Sequence, residues 1–474
     1  MIYPYPEPVF RNFSDLSKIP RGSGNTEGIR QWCLQTAEAL GIPAYADEAG
    51  NVILRKASSE GYQAHTPVIL QGHLDMVCAK LPDCPADMET EPPRLIWDAE
   101  SVSADGTTLG GDDGIAIAYA FAVLERSDLP HPPLTVILTN DEETGMDGAY
   151  GLSPDELTGR MLINLDSEDE GILTVGCAGG VRVHLNIPIE TASVSGTAVS
   201  LTLSGLTGGH SGTEIAKPLM NANLAMAELL SDVSIPFRLS DFTGGIRDNA
   251  IPTECSVSLF CSPRDSESFC QCIESSLQAL KASYPTEEKV LLSVQSVPDS
   301  AGTALTESAS AALLQFLKRL PNGVQEMNTQ LQMPETSLNI GVVRLQDGCI
   351  CTDALIRSGI NAKKDALADR LCELAESQGG TAERSGSYSA WEYRPDSRLE
   401  RTALQVYKRL FGTEMTVETI HAGLECGILS AKKPGLQCIS IGPDLYDVHT
   451  PRERLSIASA ARTWDYLTAL LAAL

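Results

Sequence analysis

Long apolar runs are what this chain of 474 residues most clearly lacks. No stretch of about 18 apolar residues occurs, so we expect no membrane-spanning helix. The first eight residues show no basic region followed by an apolar one, which predicts that there is no secretory signal. At about 100–200 residues per domain the length predicts two or three domains, and because 43% of the residues are hydrophobic, these domains are expected to have buried cores. We therefore predict a soluble, cytoplasmic protein.

Basic residues are also scarce. The chain has 35 Lys and Arg against 62 Asp and Glu, which gives a formal net charge of −27. Nucleic acids and anionic membrane surfaces are bound by clustered Lys and Arg, so neither is expected as a partner. Most of the acidic excess is interpreted as a solubilising surface, and a part of it could bind cations.

The C-x-x-C spacing of zinc knuckles and redox sites is absent. The 13 cysteines are odd in number and scattered, which predicts free thiols in a reducing compartment. Cys270 and Cys272, like Cys349 and Cys351, form C-x-C pairs. We interpret these four residues as buried strand cysteines.

The acidic stretch Asp141–Glu143 directly follows the apolar, β-branched run Leu134–Leu138, which predicts a buried strand. Three acids at one strand end repel one another unless water or cations neutralise them. The stretch could be a solvated turn. It could also hold a pair of metal ions and leave a spare carboxylate to act as a base.

Other predicted strands also end in residues that bind metals. The apolar run that starts at Val68 carries His73 and Asp75, whose i, i+2 spacing places them on one face. A metal-bound imidazole normally needs a carboxylate or carbonyl behind it, which Asp75 could supply. The next apolar strand ends at Asp166, and His449 follows a strand near the end of the chain.

Asp112 and Asp113 lie in a glycine-rich turn before a predicted helix, where they could be helix caps or ligands. The spacing of apolar residues predicts helices at 13–41, 115–126, 218–230, 266–280, 363–377, 398–410 and 456–474. Strands that alternate with helices predict an α/β sheet whose ligand site lies at the carboxyl ends of its strands. Scattered caps would not all collect on that edge, so the repeated placement favours a site.

Six groups therefore form one candidate constellation: His73, Asp112, Glu142, Glu143, Asp166 and His449. Two imidazoles and three carboxylates can hold two Zn²⁺ ions if one carboxylate bridges, and one acid remains. Two such ions would share a hydroxide and lower its pKa toward neutrality.

At this point the sequence resembles the di-zinc exopeptidases, a family of aminoacylases, carboxypeptidases and dipeptidases. The motifs that carry the resemblance are Gly72–Asp75, the turn around Asp112, Asp141–Gly145, Asn164–Asp166, Gly208–Ser211 and Val448–Thr450. Four further segments are similar to the branch of aminoacyl-histidine dipeptidases, or cytosol non-specific dipeptidases: Leu109–Ile115, Asn164–Gly171, Cys177–Gly180 and His421–Gly427. The resemblance covers nearly the whole chain.

The resemblance implies two Zn²⁺ ions, for which Co²⁺ or Mn²⁺ could substitute. It implies that Asp112 bridges the ions, that His73 and Asp166 complete one metal site, and that Glu143 and His449 complete the other. Members of the branch usually have Asn after the bridging acid, whereas this chain has Asp113. Either aspartate could therefore bridge, and Asp112 is preferred.

The resemblance also implies roles beyond the metal ligands. Asp75 would support His73, and Glu142 would be the general base that takes a proton from the attacking water and delivers it to the leaving amine. His210 would stabilise the oxyanion, unless it is a satisfied loop histidine. The holders of the substrate's C-terminal carboxylate would be Arg357 and the Gly423 region, with Asn249 as a further substrate-binding candidate.

Arg357 and several of the histidines also have simpler interpretations. Arg357 could be an ordinary surface arginine, and His421 is interpreted as either structural or close to the substrate. The remaining histidines lack a fitting motif and are interpreted as surface or packing residues: His65, His131 and His184.

The predicted architecture is an α/β, di-zinc exopeptidase-like catalytic domain at 1–186 and 390–474 with an inserted α+β lid domain at 187–389. A weak repeat of strand–helix–strand units predicts two lobes in the insert. The implied activity is hydrolysis of dipeptides with a free amino terminus, broad in side chain and including Xaa-His, through a zinc-bridging hydroxide. A homodimer is also implied, and whether His210 serves its own or a partner's site stays open. The alternatives are a tripeptidase, an N-acyl amino acid deacylase or a catalytically dead metal-binding scaffold.

Overall fold

The computed structural model describes residues 2–474, and the chain divides into two compact units. The first unit comprises residues up to 177 together with 393–419 and 424–474, and the inserted unit comprises 178–392 and 420–423. The expected boundaries were 186/187 and 389/390. The first boundary lies nine residues earlier because the strand Gly179–Pro188 is part of the inserted unit's sheet.

The elements run as follows along the chain. The first part of the first unit contains α1 (Glu7–Leu16), α2 (Glu27–Ala39), β1 (Ala44–Ala46), β2 (Val52–Lys56), β3 (Val68–His73), β4 (Leu95–Trp97), β5 (Ser101–Ala104), α3 (Gly111–Glu125), β6 (Leu134–Thr139), α4 (Glu142–Gly145), α5 (Asp147–Gly151), β7 (Met161–Asn164) and β8 (Ile172–Cys177). A short 3₁₀ turn at Pro154–Glu156 precedes β7.

The inserted unit follows. It contains β9 (Gly179–Pro188), β10 (Thr191–Ser204), β11 (Gly209–His210), α6 (Ala222–Ser231), β12 (Phe237–Gly244), β13 (Ala250–Ile251), β14 (Cys255–Cys261), α7 (Ser266–Ser283), β15 (Leu291–Leu305), α8 (Glu307–Arg319), β16 (Gly323–Asn328), β17 (Met333–Gln346), β18 (Cys349–Ser358), α9 (Asn361–Glu376) and β19 (Thr381–Tyr388). The chain ends with α10 (Arg398–Phe411), β20 (Thr416–Ile420), α11 (Glu425–Lys432), β21 (Gln437–Ser440), β22 (Leu445–Tyr446), β23 (Arg454–Ser456) and α12 (Ile457–Ala473).

An eight-stranded sheet organises the first unit, in the order β1-β2-β6-β3-β7-β21-β8-β20. Its centre is parallel, because β3 pairs in parallel with both β6 and β7, and β7 pairs in parallel with β21. Strands β3, β6 and β7 are buried at every position, as near-continuous apolar runs in a covered parallel sheet should be. This confirms the predicted α/β class and places the carboxyl ends of three strands at one edge.

Helix α3 supplies much of the first unit's core. Every residue from Gly114 to Leu124 is buried, and the helix is rich in Ala and Ile with no polar face. A helix that is apolar all round belongs in an interior. Helix α12 packs into the same core through Trp464, which stacks on Tyr119. The N-terminus of α3, which carries Asp112, is thereby fixed by a well-packed helix.

The inserted unit is built on one antiparallel sheet in the order β15-β10-β14-β12-β17-β18-β9-β19, with β16 added beside β17. Helices α6, α7, α8 and α9 pack against it around a second apolar core. The two strand–helix units share this sheet through the pairing of β12 with β17. The two predicted lobes therefore share one sheet and one apolar core.

Two local predictions are wrong. The expected helix over 13–41 is interrupted, because α1 ends at Leu16 and α2 begins at Glu27. Pro20 lies in the gap, and proline removes an N–H donor and disfavours helical geometry at the preceding residue. Cys270 and Cys272 are half-buried residues of helix α7 and do not lie on a strand. All 13 cysteines are free thiols.

Within residues 2–474, none of the helices is both long and apolar enough to cross a membrane.

Candidate metal site

The parallel centre of the first sheet brings the predicted strand-end groups together. His73 is the last residue of β3, and Glu142 and Glu143 follow β6 after a two-residue turn. Asp166 follows β7 by two residues. Because β6, β3 and β7 are adjacent and parallel, these side chains leave the same edge of the sheet.

Asp112 lies between the two predicted histidine ligands. His73 Nε2 is 3.0 Å from Asp112 Oδ1, and His449 Nε2 is 3.0 Å from Asp112 Oδ2. His449 Nε2 is also 2.9 Å from Glu143 Oε1, and His73 Nε2 is 3.6 Å from Asp166 Oδ1. All five predicted ligands therefore converge, with one oxygen of Asp112 facing each imidazole.

The donor set fits a pair of divalent cations. Three groups of ligand atoms each lie within 4.8 Å of one another: His73 with Asp113 and Asp166, His73 with Glu142 and Glu143, and Asp112 with Glu143 and His449. Imidazole nitrogens and carboxylate oxygens are ligands that Zn²⁺ accepts. Gathering this many carboxylates in a partly buried place is unfavourable unless positive charge balances them.

Asp113, the other candidate for a bridge, is placed differently. Its Oδ2 accepts a hydrogen bond from the backbone N–H of His73 at 3.0 Å, and the residue is 1% exposed. A Cβ at Gly72 would lie 2.5 Å from both Asp113 Oδ2 and Ala116 Cβ, so glycine is required for this close packing. The Asp113 carboxylate thus contacts the backbone N–H of His73, whereas the Asp112 carboxylate contacts the imidazoles of His73 and His449.

Asp75 links two ligand-bearing segments. Its Oδ1 is 3.3 Å from His73 Nδ1 and accepts from the backbone N–H of Glu142 at 3.0 Å. Its Oδ2 accepts from the backbone N–H of Glu143 at 3.3 Å and from Ser23 Oγ at 2.7 Å. Although burial raises the pKa of Asp75, the hydrogen bond and charge of His73, together with the hydrogen bonds from Ser23 and the Glu142 backbone, lower the pKa to about 2. An ionised Asp75 fixes the His73 ring from behind.

The backbone is in a left-handed conformation at His449, one of the predicted ligands, and at Asp141, two residues before Glu143. Asp141 has φ 51° and His449 has φ 63°. Non-glycine residues adopt this region at a cost, so the surrounding contacts must hold them there. Asp141, for which the sequence predicted no role, accepts a hydrogen bond from the backbone N–H of Gly24 at 2.6 Å.

The electrostatics of the site follow from burial and crowded charge. Hydrogen bonds to Asp112 and Glu143 raise the pKa of His449 to about 11. Burial raises the pKa of Glu142 well above its ordinary value, and nearby carboxylates including Asp166 add to this. Burial likewise raises the pKa of Asp166 to about 6. Bound cations would favour the ionised carboxylates and neutral imidazoles.

Three buried charged residues beside the site were missed by sequence reasoning. Glu425 accepts from Gln71 Nε2 and Thr139 Oγ1, both at 2.6 Å, and burial raises its pKa to about 7. Arg21 and Glu453 contact the turn before Asp112. Glu425 lies in a motif that carried the resemblance, and Glu453 lies four residues after His449. No local pattern marks Arg21.

A cavity of about 810 Å³ lies in the first unit beside Glu143. The loop Gly22–Asn25 forms one wall of the cavity, and the segment that contains Glu89 forms another. Asn25 Nδ2 donates a hydrogen bond to the backbone carbonyl of Glu89. The apolar part of the lining includes Met76 and Met88. Lys80 also lines the cavity, but its amine donates to the backbone carbonyl of Ala86. The volume is in the range of small-molecule sites.

In the inserted unit, His210 and Arg357 lie together. Arg357 is 6% exposed, so the interpretation as a surface arginine is wrong. Its Nη2 is 3.5 Å from His210 Nε2 and its Nη1 donates to Tyr388 Oη at 2.9 Å. Its Nε is buried and has no hydrogen-bond partner among the described residues. A Cβ at Gly212 would approach within 3.2 Å of that Nε, so glycine keeps the space beside it open.

His421 is buried in the same cluster, and Ser337 Oγ lies 2.7 Å from its Nε2. Burial and the charge of Arg357 lower the pKa of both histidines, that of His421 to about 4. The backbone carbonyl of Asn249 accepts from Ser211 N at 2.9 Å, which places Asn249 beside the His210 turn. Gly423 lies two residues after His421 in the same unit.

The remaining histidines have local partners. His131 is buried and bonds the carbonyl of Pro132, His65 bonds the carbonyl of Leu474, and His184 lies between Asp353 and Ser385.

The sequence of this chain is similar to those of known peptidases. Residues 69–473 match the family model described as Peptidase family M20/M25/M40. The chain is 36% identical over 472 residues to the cytosol non-specific dipeptidase of Escherichia coli (strain K12), covering 98% of this chain and 97% of that protein.

Solved structures show the same fold. The aminoacylhistidine dipeptidase of Vibrio alginolyticus superposes with a TM-score of 0.93 at 33% identity, over 99% of this chain and 97% of that one. The aminopeptidase PepT of Bacillus cereus shares the fold at a TM-score of 0.59 and 15% identity, over 98% of both chains. The chain belongs to the peptidase family M20/M25/M40.

Proposed function

We propose that this protein is a metal-dependent dipeptidase that cleaves dipeptides with a free amino terminus, is broad in side chain and accepts Xaa-His. The observation that carries the proposal is the convergence of five imidazole and carboxylate ligands around Asp112. The named activities of the two most similar proteins described above support the substrate class.

Two Zn²⁺ ions are proposed as the cofactor, with Co²⁺ or Mn²⁺ able to substitute. Asp112 would bridge them, His73 and Asp166 would hold one, and Glu143 and His449 would hold the other. When bound, the ions would polarise the scissile carbonyl and lower the pKa of a shared water. Asp112 is preferred over Asp113 because its two oxygens face the two histidines.

Glu142 is proposed as the general base. It would accept a proton from the attacking water on a carboxylate oxygen and deliver that proton to the nitrogen of the leaving amine. Burial raises the pKa of Glu142 above its ordinary value, which favours holding the proton between the two transfers. Asp75 holds the Glu142 backbone and the His73 ring, so it would orient both.

The inserted unit is proposed as a lid that supplies substrate contacts. Arg357 would bind the C-terminal carboxylate, because within residues 2–474 its buried Nε–H lacks a partner and no acid forms an ion pair with its guanidinium. His210 would stabilise the oxyanion, in its own site or a partner's. Asn249 and Gly423 are proposed as further substrate-binding residues. A homodimer and a cytosolic location are proposed from the resemblance and the relative's name.

The cavity beside Glu143 is proposed to take one substrate side chain. Its methionine-lined walls suit apolar and aromatic groups, whereas Asp87 and Glu89 give it a negative rim. A side chain without negative charge would therefore be preferred there.

The test is a side-by-side assay of the zinc-loaded protein on Ala-His, a tripeptide and an N-acetyl amino acid. We expect the dipeptide to be hydrolysed with the highest kcat/KM. A higher value for the tripeptide or the N-acetyl amino acid would replace the proposal by one of the sibling activities. Bound zinc without turnover of any of the three would indicate a catalytically dead scaffold.

A further inference from the structure

The turn Leu109–Asp112 is held from one side by a single buried carboxylate. Glu453 is 2% exposed and accepts hydrogen bonds from four successive backbone N–H groups. The donors are Leu109 at 2.8 Å and Gly110 at 3.0 Å to Oε2, and Gly111 at 2.7 Å and Asp112 at 3.3 Å to Oε1. These groups precede or begin helix α3, where backbone donors lack partners within the helix and an anion is favoured.

A buried arginine holds the same turn from another side. Arg21, also 2% exposed, donates from Nη2 to the carbonyl of Gly110. Its Nη1 donates to the carbonyls of Leu74 at 2.9 Å and Asp75 at 2.8 Å. Leu74 and Asp75 directly follow His73, so Arg21 ties the ligand-bearing end of β3 to the turn that carries Asp112.

Glycines make this arrangement possible. Gly110 has φ 72°, and a Cβ there would lie 2.7 Å from Arg21 Nη2. A Cβ at Gly111 would lie 2.6 Å from Leu445 Cδ2 and 3.2 Å from Glu453 Oε1. The turn is thus shaped so that both charged side chains approach the backbone directly.

Burying two ionised side chains is unfavourable unless their polar atoms are paired. Here the paired atoms are all backbone groups of the two segments that present His73 and Asp112. Apolar packing could fill the same space, but it would not orient four N–H groups and three carbonyls. The arrangement therefore controls geometry at the ligand positions.

We propose that Arg21 and Glu453 are positioning residues that fix the Asp112 carboxylate between His73 and His449 before any metal binds. The inference rests on the proposed role of Asp112 as a bridging ligand. A turn held in advance saves the cost of ordering it when the ions bind, so affinity for metal is higher.

The test compares wild type with Glu453→Gln and Arg21→Lys. The glutamine keeps the shape of Glu453 but turns an N–H₂ group toward backbone donors, and the lysine keeps the charge of Arg21 but cannot reach all three carbonyls. Zinc affinity is measured by competition with a chelating indicator. Amide hydrogen exchange of residues 109–112 is measured in the metal-free protein.

We expect each variant to lose about 10- to 100-fold in zinc affinity. Exchange of the turn amides should be faster in the metal-free Glu453→Gln protein. Excess zinc should restore much of the turnover, with KM close to that of wild type. Glu287→Gln is the matched control, because Glu287 is also 2% exposed and accepts from the backbone N–H groups of Thr207 and Met220 in the inserted unit. Its zinc affinity should equal that of wild type.

The proposal is overturned if a folded variant binds zinc within threefold of wild type, even when its thermal stability is lower. If Glu453→Gln fails to fold, Arg21→Lys decides the matter by the same criterion, with Glu453→Asp as a second carboxylate variant. The readouts do not need turnover. A wild type that binds zinc but cleaves no dipeptide would refute the proposed function and leave the positioning test intact.

Discussion

The two units of this protein place histidines in opposite electrostatic surroundings. In the first unit, His449 lies against Asp112 and Glu143, and these carboxylates raise its pKa to about 11. In the inserted unit, burial and the charge of Arg357 lower the pKa of His421 to about 4. The first cluster gathers negative charge and suits cations, whereas the second surrounds the buried positive charge of Arg357 with neutral histidines and suits an anion. The same residue type is thus directed by its neighbours to different chemistry.

The largest expected effect on catalysis comes from replacing Glu142, the proposed general base. Glu142→Gln should lower kcat by about 10²- to 10⁴-fold, the usual contribution of a positioned general base. Zinc content should stay at two ions per chain, because Glu142 is not proposed as a ligand. Steady-state kinetics and metal analysis on the same preparation check this. If the variant loses a metal ion together with activity, Glu142 is a ligand and the division of roles is wrong.

The neutral histidine of the inserted unit should make stability depend on pH. His421 has its pKa lowered from 6.5 to about 4, so between these values the unfolded state binds more protons than the folded state. Stability from this group is therefore present above pH 6.5 and lost as the pH falls toward 4, at about 1.4 kcal/mol per pH unit and about 3 kcal/mol in all.

His421→Gln should remove that slope while keeping a polar partner for Ser337. Urea unfolding of the metal-free protein at several pH values, for wild type and variant, gives the difference. Parallel curves for the two proteins between pH 4 and 6.5 would show that His421 is not buried in its neutral form.

The proposed binding of the substrate's C-terminal carboxylate by Arg357 is tested by changing the arginine and, separately, the carboxylate. Arg357→Gln should lower kcat/KM for a dipeptide by about 10- to 150-fold, since a hydrogen bond to a charged group contributes about 1.5–3 kcal/mol. For the same dipeptide with its C-terminus amidated, the variant and wild type should differ little. An equal loss on both substrates would mean that Arg357 supports the fold of the cluster and does not bind the carboxylate.

The smallest effect is expected at the rim of the cavity. Wild type should prefer Gln over the isosteric Glu at one of the two substrate positions, in the pairs Ala-Gln and Ala-Glu or Gln-Ala and Glu-Ala. Glu89→Gln should raise kcat/KM for the disfavoured Glu peptide by about two- to fivefold, as for other exposed charge pairs. Glu60→Gln, an equal charge change outside the cavity, should not. The idea fails if both variants act alike.

The sequence predicted the strands and their ligand-bearing ends because a short run of neighbouring residues indicates each of them. An apolar run followed by His73, Glu143 or Asp166 can be recognised from residues that are close together in the sequence. The sequence analysis did not predict the break between α1 and α2, because the apolar residues on both sides of it have helical spacing, although Pro20 lies between them.

The support behind the ligands could not be predicted in this way. Glu453 bonds Leu109 across 344 residues of chain, and Arg21 bonds Gly110 across 89. Neither contact follows a helical or strand period, so only the folded chain shows it. The partners of Arg357 are likewise set by tertiary packing, which is why its burial was not apparent from the residues around it.

The central claim is that the first unit's anionic cluster is a metal centre that hydrolyses dipeptides. The most direct measurement is Ala-His hydrolysis before chelation, after removal of metal, and after titration with Zn²⁺. We predict that turnover falls to background without metal and returns with a midpoint consistent with two ions per chain. Undiminished hydrolysis by protein shown to be free of metal would contradict the account.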